Sequence, residues 1–276
     1  MKKLQVVAGG TSGMGLATAM ALGRFGPVLV GGRNEKRLAD AVAKLKEAGV
    51  ESYGKTVDIS NRASLDEFAA YAAGIAPLGN VLNAAGVDAG GPDLIIGVNM
   101  VGTVNFVEAF FPYLEQGARL VNFSSITGYF VQPTTEEKAI WDEPNDPDFF
   151  PKVKAAIQNR QVPEAMRHMG EDYLYYPISK TFTQYYTRAN TLRFGRKGCQ
   201  IFSVAPGAFD TPMLRESPDE VVAGIARGTA LGRLGDANEM ADFIVHLLEP
   251  GHDYLTGCDL ILDGGKFALT TAKQLD

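Results

Sequence analysis

The chain has 276 residues, 46% hydrophobic and 21% charged, enough for one large core or two small ones. Its net charge of −6 contains no block of like charges, which argues against a nucleic-acid surface. A membrane span is not expected, since no run of about 18 apolar residues stands out, and Cys199 and Cys258, without CxxC spacing, suit a reduced, cytoplasmic setting and no metal site.

Met1-Lys2-Lys3-Leu4 imitates the start of a signal peptide, but the apolar run stops at Gly9-Gly10, too early for an h-region. Leu4 to Ala8 is therefore read as a buried strand. It runs into Gly9-Gly10-Thr11-Ser12-Gly13-Met14-Gly15 and then a helix from Leu16 to Leu22. Strand, glycine-rich turn and helix in that order fit a dinucleotide. Glycines let the backbone turn and approach a pyrophosphate, and the helix N-terminus attracts the anion. A strand at 27–31, a helix at 35–48, a strand at 50–57 ending at Asp58, a helix at 61–73 and a strand at 80–84 follow. This alternation predicts a parallel sheet covered by helices on both faces. At the end of the second strand, where a carboxylate would hold a ribose 2′-hydroxyl, the residues are Gly31-Gly32-Arg33-Asn34. A guanidinium there suits a 2′-phosphate, so NADP is expected and NAD is the weaker alternative.

Asn83-Ala84-Ala85-Gly86 closes the fourth strand at the cofactor edge of the sheet. Asn99 lies early in an apolar helix reaching about Leu114, as either a satisfied core amide or a site group. A strand at 119–123 ends in Ser124-Ser125, whose hydroxyls could polarise a substrate oxygen. From about 129 to 172 the sequence is Pro-rich and acidic and holds the only tryptophan, Trp141. Helical patterns at 152–159 and 164–172 follow Pro151 and Pro163. This is an inserted segment, either a surface excursion or a lid or wall over a substrate.

In Tyr176-Pro177-Ile178-Ser179-Lys180, a phenol and an ammonium four residues apart share one helix face. A nearby cation lowers a phenol's pKa, and such a tyrosine can exchange a proton with a substrate oxygen. A strand at 199–204 leads into Ala205-Pro206-Gly207 and on to Thr211. A mobile stretch at 214–235, a helix at 237–249 and a last strand and turn at 257–265 complete the chain. No repeat or linker divides it, so a single domain over 1–276 is expected. His168, His246 and His252 lack metal-like spacing. Met166, Met169 and Tyr173 line a pocket or pack the inserted helices.

Taken together, the chain resembles the short-chain dehydrogenase/reductase family over nearly its whole length. The resemblance rests on Gly9-x3-Gly13-x-Gly15, Asp58, Asn83-Ala-Ala-Gly86, Asn99, Ser125, Tyr176-x3-Lys180, Pro206-Gly207 with Thr211, and Asp263-Gly264-Gly265. It implies an α/β, Rossmann-type doubly wound parallel sheet of about seven strands, with a helical insertion before the Tyr176 helix. It also implies an NADP(H)-dependent oxidoreductase acting on a small carbonyl or secondary alcohol. Tyr176 would be the acid/base, and Ser125, three residues before Gly128, would bind the substrate oxygen. Lys180 would lower the phenol's pKa and hold the nicotinamide ribose, while Asn99 places a relay water. Asp58 would cap the adenine and Thr211 meet the carboxamide. The cofactor surface would add Gly9, Thr11, Ser12, Gly13, Met14, Gly15, Arg33, Ile59, Asn83, Ala84, Gly86, Pro206 and Gly207.

Ala8 and Ala84 depart from the family's usual Thr and Asn. The short interval from Gly86 to Asn99 and the long one from Ser125 to Tyr176 resemble the bacterial 3α-hydroxysteroid dehydrogenase/carbonyl reductase branch, which implies a hydrophobic substrate. The insertion would block a family tetramer contact on the Tyr176 helix, so a homodimer is expected over a tetramer. The alternative from another class is a catalytically silent, NADP-binding sensor on the same fold. A sugar-nucleotide epimerase would need a longer C-terminal region, and an enoyl reductase a wider Tyr–Lys spacing.

Overall fold

The computed structural model describes residues 2–160 and 171–273. Its first half alternates β1 (Leu4–Ala8), α1 (Gly13–Leu22), β2 (Val28–Gly32), α2 (Glu35–Glu47), β3 (Ser52–Thr56), α3 (Arg62–Ile75) and β4 (Leu78–Asn83). Next come α4 (Pro92–Ile95), a π-helical turn (Ile96–Val101), α5 (Gly102–Phe110) and β5 (Arg119–Phe123). The insertion contributes α6 (Thr135–Trp141) and α7 (Phe149–Gln158). The chain continues through α8 (Tyr175–Ala189), α9 (Thr191–Arg196), β6 (Gln200–Pro206), α10 (Asp219–Arg227), α11 (Ala237–Leu247), β7 (Asp259–Leu262) and α12 (Lys266–Thr271). All seven strands run parallel in the order β3-β2-β1-β4-β5-β6-β7.

The order reverses between β1 and β4, and both strands are buried along their whole length. Successive side chains of β1 point to opposite faces. Val6 joins a core with Phe68 of α3, Phe106 and Phe110 of α5 and Phe182 of α8. Val7 joins a second core with Leu22 of α1, Leu38 and Leu45 of α2 and Ile244 of α11. An apolar strand without alternation is what a sheet covered on both faces requires. At the far edge, Asp259, Leu260, Ile261 and Leu262 of β7 are all half-buried.

Four elements differ from the sequence expectations. The stretch 214–235 contains α10, which starts after Pro218 with Asp219 and Glu220 in its first turn, a favourable charge at a helix N-terminus. The first inserted helix, α6, was not foreseen, although Thr134 and Glu137 spell a capping box that both side chains complete, at 3.1 and 2.8 Å. The expected helix at 152–159 starts earlier, at Phe149, and most of the one at 164–172, with Met166, His168 and Met169, lies outside the described residues. Pro92–Tyr113 is, contrary to expectation, a helical rod long and apolar enough to cross a membrane. It is 72% buried in the interior of this fold, as a core helix is.

The described part of the insertion packs against α8. Trp141 meets Phe182 and Tyr185, and Phe149 meets Phe182. At helical spacing, Phe182 and Tyr185 fall on the side of α8 away from Tyr176 and Lys180. Glu137, almost fully buried, is neutralised by Arg160 at 2.9 Å.

Candidate active site

The glycine turn is dictated by close approach. A Cβ on Gly9, whose φ is +79°, would lie 2.5 Å from the Ala85 nitrogen, and one on Gly15 would lie 2.2 Å from the Gly9 carbonyl oxygen. The turn is thus folded tightly onto itself and onto the segment after β4. Ser12 is the N-cap of α1 but makes no side-chain capping bond, and no acidic residue occupies the first turn. The N-terminal N–H groups of α1 therefore offer an anion site. Thr211 closes over this turn, its Cγ2 within 3.4 Å of where a Gly13 Cβ would stand. Arg33 is exposed just beyond β2, and the Cβ position of Gly32 is crowded at 2.8 Å by Thr11. These features fit a nicotinamide dinucleotide, with a glycine cradle for the pyrophosphate and an exposed guanidinium just past β2.

Other predicted cofactor residues contribute from behind. Asp58 Oδ1 accepts from the Ser60 nitrogen at 3.0 Å and its hydroxyl at 2.6 Å, which sets the loop after β3. Ile59 is buried in the core, its side chain packed against Gly102. Asn83 is also buried and turns its amide towards Thr103 of α5. Ala84 fits beside the Gly15 Cβ position at 3.3 Å, and Met14 packs against the second core. The Gly207 N–H donates to the Leu262 carbonyl at 2.9 Å, joining the loop after Pro206 to β7.

The expected site residues Asn99, Ser125, Tyr176 and Lys180 come from separate elements that pack together. Ser125 follows β5 and caps a short 3₁₀ turn, its Oγ accepting from the Thr127 nitrogen and hydroxyl at 3.2 and 3.1 Å. Its hydroxyl acts on the Tyr176 phenol from nearby, favouring the ionised form. Gln184 of α8 donates to the Ser125 carbonyl at 3.2 Å, and Thr181 donates to the Gly128 carbonyl at 2.8 Å. A Cβ at Gly128 would strike the α8 backbone at 2.8 Å, so only glycine lets the serine turn lie this close to the Tyr176 helix. Ser124 is excluded from the site because its hydroxyl donates to the Val204 carbonyl and to Asp259, at 2.9 and 2.6 Å.

Lys180 is buried and its Nζ donates to the Phe123 carbonyl at 3.0 Å, while lying 5.7 Å from the centre of the Tyr176 ring. The phenol does not sit below its ordinary value in this structure. Burial pushes Tyr176 up to about 12, outweighing the nearby Ser125 side chain, which lowers it, and Asp88 adds to the rise; Lys180 is not among these causes. Burial takes Lys180 itself down to about 8, against the raising influence of Asp88 and then Asp259. Desolvation disfavours the charged form of both groups, and it is the largest cause for each.

Asn99 stands in the π-helical turn, a distortion frequent at functional sites. Its Oδ1 accepts from the Val87 nitrogen at 3.0 Å, and its Nδ2 donates to the Val87 carbonyl and to Ser179 Oγ at 2.8 and 3.0 Å. The amide is thus occupied in tying the loop after β4 to α8. A Cβ at Gly86 would lie 3.2 Å from Lys180 Nζ, so that loop passes directly beside the lysine. Of the remaining expected groups, Tyr173 packs against the first core, and His246 meets His252 edge-on at 4.8 Å, away from these residues.

Two family models match, short chain dehydrogenase over residues 3–136 and enoyl-(acyl carrier protein) reductase over 162–266. A short-chain dehydrogenase/reductase named bsc3 from Alternaria brassicicola is 27% identical, with 97% of each chain covered. The 3-alpha-hydroxysteroid dehydrogenase/carbonyl reductase of Comamonas testosteroni is 26% identical, with 98% of each covered. A crystal structure of actinorhodin polyketide ketoreductase with NADPH superposes with a TM-score of 0.76 at 24% identity, covering 96% of this chain and 97% of that one. The chain belongs to the short-chain dehydrogenase/reductase family, and its site is that of an oxidoreductase working between an alcohol and a carbonyl with a nicotinamide cofactor.

Proposed function

We propose that the protein is an NADP(H)-dependent reductase of a hydrophobic ketone, or in reverse a dehydrogenase of the corresponding secondary alcohol. The observation that carries this reading is the close seating of the Ser125 turn on the helix of Tyr176 and Lys180, fixed by Gln184 on the Ser125 carbonyl and Thr181 on the Gly128 carbonyl, at the C-terminal edge of the sheet. When bound, the cofactor supplies or accepts the hydride. Ser125 then holds the substrate oxygen, and Tyr176 gives that oxygen its proton as the carbonyl is reduced. Lys180 and Asn99 hold the surrounding backbone, through Phe123 and Val87, so that these hydroxyls are preorganised. Arg33 would hold the 2′-phosphate, with Thr11, Ser12 and the α1 N-terminus on the pyrophosphate and Thr211 over the nicotinamide end.

The Comamonas relative supports the hydrophobic-substrate branch. Two observations favour a homodimer. The insertion already covers the outer side of α8, and β7 leaves a half-exposed apolar edge strand, which proteins ordinarily cover. The test is a panel of neutral ketones assayed for NADPH oxidation, with Tyr176→Phe as control. Turnover of at least one ketone that disappears in Tyr176→Phe supports the reading. NADPH binding without turnover of any ketone would replace it with a silent NADP sensor.

A further inference from the structure

The loop after β4 passes Lys180 and carries a carboxylate that no hydrogen bond or ion pair holds among the described residues. Gly86 touches the space around Lys180, and Val87 is clamped by both polar atoms of Asn99. The next residue is Asp88, exposed on the loop. Its charge acts on both Tyr176 and Lys180. The far end of the loop is fixed too. Gly90 and Gly91 turn it with φ of +98° and +87°, and Lys154 of the insertion pairs with Asp93 at 2.6 Å. The cation that the insertion brings to this loop is therefore spent on Asp93. Among the described residues, no hydrogen bond or ion pair is made by the Asp88 carboxylate.

The other acid near Lys180 is not comparable. Asp259 has one oxygen held by Ser124 at 2.6 Å and the other buried, so it cannot meet a substrate. Asp88, two residues past the glycine beside Lys180 and next to the clamped Val87, stands in solvent instead.

We propose that Asp88 selects the substrate's charge: the site takes carbonyl compounds bearing an ammonium or similar cation a few bonds from the reacting carbon, and disfavours those bearing a carboxylate. This rests on the reductase reading above and narrows its substrate class. A substrate oxygen on Ser125 and Tyr176 leaves the rest of the molecule beside the loop carrying Asp88. A charge carried there on a backbone held by Asn99 favours an opposite charge on the substrate and disfavours a like one.

The test takes whichever neutral ketone the panel finds to be reduced and builds two variants of it, one with a quaternary ammonium and one with a carboxylate at the same carbon. The readout is the ratio of kcat/KM for the cationic over the anionic ketone within each protein, which cancels any change in the shared chemistry. The wild type is expected to show a ratio of about tenfold or more at low salt, shrinking as salt rises. Asp88→Asn should bring the ratio near one, and Asp88→Lys should invert it. An equal ratio in wild type and Asp88→Asn, or a wild type that prefers the carboxylate, overturns the proposal while leaving the reductase reading intact. A panel in which no ketone is reduced removes that reading and this one with it.

Discussion

Trp141 meets Phe182 edge-on, with ring centroids 5.5 Å apart and planes at 78°. The insertion is thereby fastened to the helix that carries Tyr176 and Lys180. Both rings are fully buried, so the contact is core packing rather than surface decoration. Trp141→Ala should cost about 3–5 kcal/mol, since it opens a large cavity between α6 and α8. Chemical denaturation of the variant measures it. A loss under about 1 kcal/mol would show that the insertion is not part of the cooperative core.

Tyr176→Phe should lose nearly all turnover while binding NADPH normally, because the substitution removes the proton donor and keeps the ring. Ser125→Ala should lower kcat by about 10²-fold or more, as loss of a polarising donor does elsewhere. Stopped-flow reduction with cofactor binding followed separately distinguishes these from a folding defect. Near-normal turnover in Tyr176→Phe removes the phenol from the chemistry.

The two directions of the reaction should differ in pH dependence. A phenol near 12 is protonated throughout the ordinary range, so carbonyl reduction has its acid in place from pH 6 to 8. Alcohol oxidation needs the phenolate, whose fraction rises about tenfold per pH unit below that pKa. Oxidation rates should therefore climb steadily from pH 7 to 10, while reduction stays flat until Lys180 begins to lose its charge near 8. Paired pH–rate profiles in both directions check this. A plateau in oxidation below pH 8 would place the working base elsewhere, or its pKa far lower once the cofactor is bound.

Lys180 should destabilise the protein without its cofactor at neutral pH. Its folded pKa of about 8 lies below the 10.5 of an unperturbed lysine, so the unfolded chain binds more protons between those values. Stability therefore rises with pH across that window, and the penalty is fully present below 8. Lys180→Met should be inactive, yet more stable than wild type at pH 7 by about 1–2 kcal/mol, part of the gain being lost because the Phe123 carbonyl is left without its donor. Urea denaturation at pH 7 and pH 10 tests both the sign and its loss at the higher pH.

Arg33→Ala should weaken kcat/KM for NADPH by about 10- to 100-fold, the range of a charge-assisted contact, with much less effect on NADH. Adding Gly32→Asp should shift the preference further towards NADH. The new Cβ falls 2.8 Å from the Thr11 methyl, so Thr11 must rotate aside, and Thr11→Ser should ease the change. Initial rates with both coenzymes suffice. An unchanged NADPH/NADH ratio in Arg33→Ala rejects the 2′-phosphate role.

Much of the scaffold was legible in the chain. Apolar runs such as Leu4 to Ala8, separated by helical patterns, imply a parallel sheet, and glycine spacing marks its cofactor edge. What stayed hidden depended on depth and on contacts between distant segments. The spacing of Tyr176 and Lys180 gives a shared face but says nothing of how deeply they sit, and burial reverses the expected effect on the phenol. Asn99 reads as an ambiguous polar residue until Val87, 12 positions earlier, returns to fill its amide. Ser125 could be preferred over Ser124 from its spacing to Gly128, and what the sequence hides is the partner of Ser124, Asp259, 135 residues further on. The helix at Thr135–Trp141 is the opposite case, since Thr134 and Glu137 announced it and were overlooked among the acidic residues around them.

The single π turn at Ile96–Val101 makes the loop that carries Asp88 depend on a residue count. A helix advances about 100° per residue, so deleting one position from that widened turn would let it relax to ordinary winding. Asn99 would then swing around the rod and release Val87, and the carboxylate two positions past Gly86 would lose its fixed bearing. Relatives that differ here by one insertion or deletion should differ in what they accept, even where every chemical group of the site is retained.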